Sequence, residues 1–122
     1  MELTGERCVA CQKGAPQATA DETARWLPEL DGWEVIKVDG VKRLQKVFKT
    51  QGFMGALDLA NKIGAIAEEE GHHPSLLVEW GKLTVTWWTH KIKGLHRNDF
   101  IMAAKSNEAA GSTRSSGLGA GS

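Results

Sequence analysis

The sequence has no excess of charge of either sign, because 15 Lys and Arg residues balance 15 Asp and Glu residues. A chain without net charge has no overall field to attract nucleic acid or anionic lipid, so neither is an expected partner. Its apolar runs are short against the roughly 20 residues that a bilayer span requires, and the N-terminus has no signal-peptide core. We therefore expect a soluble, cytoplasmic protein without membrane contact.

Cysteine is also scarce, since Cys8 and Cys11 are the only two and form one C-x-x-C motif. A disulfide-stabilised secreted domain needs more cysteines. A structural zinc site needs four ligands, and a thioredoxin-type motif needs a strand before it and a helix after it, whereas this pair lies in a short polar N-terminal arm, residues 1–19. Incidental or weakly structural cysteines are the favoured interpretation, with zinc or redox chemistry as the alternative.

The length of 122 residues favours one domain, which would bury roughly 65% of its unfolded surface. Residues 109–122 are rich in glycine and serine, and we expect a flexible tail or a cloning scar there. The predicted domain is therefore residues 20–108.

The spacing of apolar residues predicts three helices and four strands within this domain. Thr19 is the predicted cap of the first helix, and Asp39-Gly40 is a strong hairpin signal because both residues tolerate positive φ. The predicted elements are a helix near 20–30, strands at 33–38 and 41–49, a long helix at 51–70, strands at 76–80 and 83–90, and a helix at 97–106. This order predicts an α+β domain, a four-stranded antiparallel sheet with helices packed on one face.

Ionisable side chains concentrate at the end of the long helix, where residues 68–74 read EEEGHHP, and at His90 at the end of the predicted fourth strand. Imidazole, with an ordinary pKa of about 6.5, both donates and accepts protons near neutrality. Glu68 precedes His72 by four residues, so the two would share a face if the helix continued through Gly71. Strand alternation places His90 on the polar face. Acid–base chemistry is the favoured function of this cluster.

Other interpretations stay open. A solvated helix end is about as good an account of the glutamate run and its histidines, because histidine interacts well with a helix C-terminus. Metal binding ranks lower, because adjacent His72 and His73 cannot readily face one ion and no zinc or two-histidine-one-carboxylate spacing appears. The five tryptophans are mostly expected in the core, although one at a cleft could stack on a flat heterocycle.

The spacing of these residues resembles the signature of the pterin-4a-carbinolamine dehydratase family. In chain order the anchors are Glu68, His72-His73-Pro74, Trp80, His90 and Asp99, separated by three, five, nine and eight residues. Local matches at Gly32-Trp33, Phe53-Met54 and Gly94-Leu95 extend the resemblance over residues 20–104.

The resemblance implies a hydro-lyase that dehydrates 4a-hydroxytetrahydrobiopterin, or a bacterial analogue, to the quinonoid dihydropterin and so recycles the cofactor of aromatic amino-acid hydroxylases. It implies no metal and no cofactor in the enzyme itself. By position, His72 and His90 match proton-transfer histidines, with both as general acids in our hypothesis. The remaining matches are substrate-binding His73 and Glu68, pocket-edge Trp33, and structural Pro74 and Asp99. Residues 91–93 differ from animal members, which leaves fine specificity open.

The resemblance also allows a non-catalytic function. Relatives act as a dimerisation partner of a homeodomain transcription factor or as a Rubisco assembly factor, and such binding modules do not need acid and base groups. The presence of all four ionisable residues favours the enzyme. An open sheet has edges that pair readily, and family members form dimers edge to edge and sometimes tetramers, so a homodimer or homotetramer is expected.

Overall fold

The computed structural model describes residues 17–116, without the side chains of residues 112–116. Within that range the helices and strands follow the predicted order. They are α1 (Ala20–Trp26), β1 (Glu34–Val38), β2 (Val41–Lys49), α2 (Gly52–Glu70), β3 (Ser75–Glu79), β4 (Lys82–Trp87) and α3 (Arg97–Ser116). Short 3₁₀ helices follow α1, at Leu27–Glu29, and β4, at His90–Ile92. None of the helices in the described range is long and apolar enough to cross a membrane.

The four strands form one antiparallel sheet in the order β1-β2-β4-β3, which confirms the predicted fold class. Asp39 and Gly40 form the β1–β2 turn with φ values of 52° and 79°, so the predicted hairpin is confirmed. In the register, Ser75 of β3 pairs with Thr86 of β4. The start of β3 and the end of β4 therefore meet at one edge of the sheet.

The helices cover one face of the sheet, where α2 and α3 contact each other and β4. Alternate residues of β4 point into this layer, and Leu83, Val85 and Trp87 are completely buried. The opposite face, hereafter the open face, carries the other alternate residues, including half-exposed Val47 and Leu77. This alternation matches the predicted apolar and polar sides of the strand.

The two outer helices differ in length from the prediction. The first gives way to a 3₁₀ turn after Trp26 because Pro28 has no N–H and restricts the residue before it. The last was predicted to end near Ser106 but continues to Ser116, and Ala109 and Ala110 are buried, so the flexible tail predicted from residue 109 is wrong for residues 109–116. Alanine is the best helix former and packs closely, which offsets the cost of glycine. Residues 117–122 lie outside the described range.

The N-terminal arm is described only from residue 17, and the Cys8 and Cys11 motif lies outside the described range. Its last residues attach to the loop after β4, since the Ala18 N–H donates to Leu95 O at 2.7 Å and the Gln17 amide to Ile92 O at 3.1 Å. Thr19 and Glu22 then form a reciprocal capping box, which confirms Thr19 as the helix cap.

Candidate active site

His72 enters the protein interior because Gly71 ends α2 in a left-handed turn. Gly71 has φ 69°, and the His72 N–H donates to Ala67 O at 3.1 Å, which closes the helix terminus. His72 is 9% exposed, and its imidazole stacks on Trp87, with ring centroids 5.6 Å apart and an interplanar angle of 11°. This side chain is therefore held in one orientation beneath the end of β4.

The buried carboxylate of Asp99, in the first turn of α3, fixes the other side of that ring. Its Oδ1 lies 2.6 Å from His72 Nε2, and its Oδ2 accepts from Thr89 Oγ1 at 2.8 Å and from the His96 N–H at 2.9 Å. Because a carboxylate oxygen accepts, the proton of a neutral His72 is assigned to Nε2. Nδ1 is then the nitrogen with a free lone pair, and it is the one that can face a ligand.

His96 organises the start of α3 and was missed by sequence reasoning. Its N–H donates to Asp99 Oδ2, and its ring Nδ1 accepts from the Asn98 N–H at 3.1 Å. This is the reciprocal geometry of a capping box, in which an acidic residue three positions into the helix bonds back to the cap. The spacing of His96 and Asp99 before an apolar run was the signal that could have found it.

Glu68 and His73 form a separate pair on the surface. The Nε2 atom of His73 lies 2.7 Å from Glu68 Oε1, and the two side chains are 62% and 81% exposed. The helix ends at Glu70, so the condition for a common face of Glu68 and His72 is not met. The turn at Gly71 instead brings His73 to Glu68. Pro74 follows, half-buried, directly before β3.

His90 is exposed and lies in the 3₁₀ turn after β4, so its predicted place on the fourth strand is wrong, because that strand ends at Trp87. Its ring contacts that of Trp88, with centroids 4.4 Å apart. The preceding residue, Thr89, is buried and joins two parts of the site: its hydroxyl donates to Asp99, and its backbone pairs with Gly94 across the loop. The structure thus connects the His90 loop to the His72 network through Thr89 and Asp99.

Trp33 is a core residue, 6% exposed, directly before β1. Its Nε1–H donates to Asn107 Oδ1 at 2.9 Å, and its ring meets Phe48 edge to face at 6.0 Å. These contacts do not join it to the histidines, so its predicted place at a pocket edge stays a prediction.

In residues 17–116, no three His, Cys, Asp or Glu side chains are grouped as metal ligands.

Comparison with known proteins identifies the family of the chain. The family profile described as "Pterin 4 alpha carbinolamine dehydratase" matches residues 16–109. A protein from Nitrosococcus oceani is 54% identical over 107 residues, covering 88% of this chain and 95% of its own. One from Syntrophotalea carbinolica is 50% identical over 105 residues, covering 86% and 94%. The names of both give pterin-4-alpha-carbinolamine dehydratase as a provisional assignment.

A solved structure has the same fold. The crystal structure of a "transcriptional coactivator/pterin dehydratase" from Brucella melitensis superimposes with a TM-score of 0.70 at 33% identity, covering 78% of this chain and 99% of that one. With the family profile spanning most of the chain and relatives at 50% identity or more, the chain belongs to the pterin-4-alpha-carbinolamine dehydratase family.

Proposed function

We propose that this protein dehydrates a 4a-hydroxytetrahydropterin to the quinonoid dihydropterin by histidine acid–base catalysis. The observation that carries the proposal is the ring of His72, whose Nε2 is bonded to buried Asp99 while Nδ1 remains for a ligand. A buried carboxylate behind one imidazole nitrogen sets the tautomer and orientation of the ring, as in other enzymes that move protons with histidine.

The reaction needs two proton transfers and no change of oxidation state. The C4a–O bond breaks as a proton reaches the leaving hydroxyl, and N5 loses its proton as the C4a–N5 double bond forms, so water is the only other product. A positioned acid or base contributes about 10²- to 10⁴-fold to each such step. Two histidines are sufficient for this chemistry.

We assign different parts to the two histidines because their surroundings differ. His72, in its neutral form, presents the Nδ1 lone pair and takes the N5 proton. His90, exposed beside Trp88, delivers the proton to the hydroxyl. This replaces our initial hypothesis of two general acids. The path through Thr89 and Asp99 couples the positions of the two rings.

The exposed Glu68–His73 pair is the proposed binding site for the polar edge of the pterin. The 2-amino group and N3–H of a pterin are donors, and the Glu68 carboxylate is an acceptor that water already reaches. His73 would hold that carboxylate in place. As part of the same proposal, the protein works in the cytoplasm as a homodimer or homotetramer and serves an aromatic amino-acid hydroxylase.

A non-catalytic binding function is the second candidate. The printed title of the Brucella structure names a transcriptional coactivator as well as a dehydratase. The open face also exposes Val47 and Leu77 by 51% and 54%, which is apolar area that a partner protein could cover. The histidines are not needed for such a binding function, whether the partner is a transcription factor or Rubisco during its assembly.

Stopped-flow absorbance of freshly generated 4a-hydroxytetrahydropterin separates the two candidates. We expect wild-type protein to accelerate dehydration, and the His72→Ala, His90→Ala double variant to lose that acceleration. The single variant His90→Ala controls for loss of activity by unfolding, because the His90 side chain is exposed and its removal should leave the fold intact. Glu34→Gln on β1 is a matched surface control. A wild-type rate equal to that in buffer would reject the enzyme and favour the binding function.

A further inference from the structure

Three side chains lie in a row that starts on the open face of the sheet and ends at the loop after β4: Arg43, Trp88 and His90. The Cζ atom of Arg43 lies 4.0 Å from the Trp88 ring centroid, and the Trp88 and His90 centroids are 4.4 Å apart with the rings tilted by 39°. Leu44 pairs with Trp87 in the register, so Arg43 is the cross-strand neighbour of Trp88. We call these three residues the Arg–Trp–His row.

An exposed imidazole in a short turn has several rotamers available, and most of them point away from a bound substrate. Proton transfer requires the ring nitrogen within about 2.6–3.2 Å of its target. His90 is exposed and lies in a three-residue 3₁₀ helix, so its own backbone does little to fix the ring. Trp88 is only partly exposed and presents a large rigid surface against it.

We infer that Trp88 is a positioning residue for His90 and that Arg43 holds Trp88 in place. The expected effect on the dehydration rate rests on the proposed function, whereas the expected effect on the orientation of the His90 ring does not. It goes beyond the assignment of His90, because it explains how an exposed side chain is kept ready to donate a proton.

The environment of Arg43 supports this role. Its Nε is the one buried side-chain nitrogen or oxygen in the described range that has no hydrogen-bond partner. Arginine ordinarily uses its fork of donors on carboxylates. Here the Cζ atom of Arg43 lies over the Trp88 ring, 4.0 Å from its centroid, which is within the distance of a cation–π contact.

Proton NMR of the His90 ring tests the positioning without any substrate. The indole ring current shifts nearby imidazole protons, and His90→Gln identifies the resonances. We expect Trp88→Leu to move them towards the positions of free histidine, Trp88→Phe to retain part of the shift, and Arg43→Met to move them less than Trp88→Leu. Trp80→Leu is the matched control, because Trp80 is 78% exposed at the turn between β3 and β4, at the far end of β4 from His90.

Kinetics then test the consequence. Because misplacing a catalytic group by about 1 Å can cost 10²-fold in rate, we expect kcat to fall roughly tenfold in Trp88→Leu and to return to within about threefold of wild type in Trp88→Phe. KM should change by less than about twofold, since the row sets orientation rather than affinity. Unshifted His90 resonances in Trp88→Leu would overturn the inference, as would shifted resonances with an unchanged kcat. If wild type lacks dehydratase activity while the ring shifts are present, the proposed function fails and the positioning of His90 by Trp88 stands.

Discussion

Replacing Asp99 by Asn should reverse the tautomer of His72. Oδ2 accepts from two donors, Thr89 Oγ1 and the His96 N–H, whereas Oδ1 accepts from His72 alone. The amide oxygen of Asn is therefore expected at the Oδ2 position and its NH₂ group opposite His72. Two donors cannot face each other, so Nε2 must become the acceptor and the proton must move to Nδ1. The nitrogen that faces the ligand would then donate instead of accepting.

The cost in stability follows from the same contacts. A hydrogen bond to a charged group contributes about 1.5–3 kcal/mol and a neutral one about 0.5–1.5 kcal/mol, so Asp99→Asn should lose about 1 kcal/mol at each of its three bonds, or about 3 kcal/mol in total. Asp99→Ala leaves three donors without an acceptor, at about 1–3 kcal/mol for each fully buried group. We expect a loss of about 4 kcal/mol, a large part of the 5–15 kcal/mol typical of a whole domain.

Nitrogen-15 NMR of the imidazole reports the tautomer, and urea unfolding reports the free energy. We expect Asp99→Asn to show the Nδ1–H form of His72 and a dehydration rate lowered by about 10²-fold, the lower end of the range for a lost acid–base group. Asp58→Asn, on the exposed face of α2, is the control for loss of a negative charge. An Asp99→Asn variant that keeps the Nε2–H form and the wild-type rate would refute the orientation argument.

Three further predictions follow from single contacts. Glu68→Gln and His73→Ala should each change the free energy of unfolding by less than about 0.5 kcal/mol, because an exposed ion pair contributes little to stability. Each should raise KM for the pterin about fivefold, and an unchanged KM would exclude the pair from substrate binding. Gly71→Ala should cost about 1 kcal/mol, because φ is 69° although no atom lies within 4 Å of the added Cβ. The control is Gly64→Ala inside α2, where the added Cβ also meets no atom within 4 Å. It should raise the free energy of unfolding in urea by about 0.5–1 kcal/mol, and equal effects of the two variants would contradict the backbone conformation of Gly71 as the cause. Trp33→Phe should destabilise by about 1–2 kcal/mol through the lost bond to Asn107 and lost volume, with KM unchanged in the dehydration assay; a raised KM would instead support the pocket-edge role.

The periodic parts of the fold were predictable from the sequence because they depend on local geometry. Side chains alternate along a strand, so the inward set Leu83, Val85 and Trp87 could be separated from the outward set without knowledge of any neighbour. The Asp39-Gly40 turn was predictable for the same reason, since the two residues themselves determine the allowed φ. The end of α3 was not, because burial of Ala109 and Ala110 depends on packing that composition does not reveal.

Contacts across the chain account for what sequence reasoning missed at the site. His72 and Asp99 are 27 residues apart, and nothing local indicates that a buried carboxylate will meet that ring. Glu68 contacts His73 instead of His72 because Gly71 adopts a left-handed conformation. This turn decides which of the two histidines faces outward. The contact of Arg43 with Trp88 depends on the register of β2 against β4, which hydrophobic patterns alone do not determine.

The Asp99 network has a structural use whether or not the protein is an enzyme. The carboxylate caps α3 through His96 and closes the loop after β4 through Thr89, and a buried carboxylate needs such donors in any fold. These two bonds therefore do not distinguish the enzyme from the binding module. His72 offers a sharper test, because its Nε2 bonds to Asp99 and its ring stacks on Trp87, whereas its Nδ1 has no part in the capping of α3 or in the closure of the loop. We expect His72→Gln, which keeps a donor for Asp99, to abolish dehydration if His72 is an acid–base group and to leave partner binding intact if the protein is a binding module.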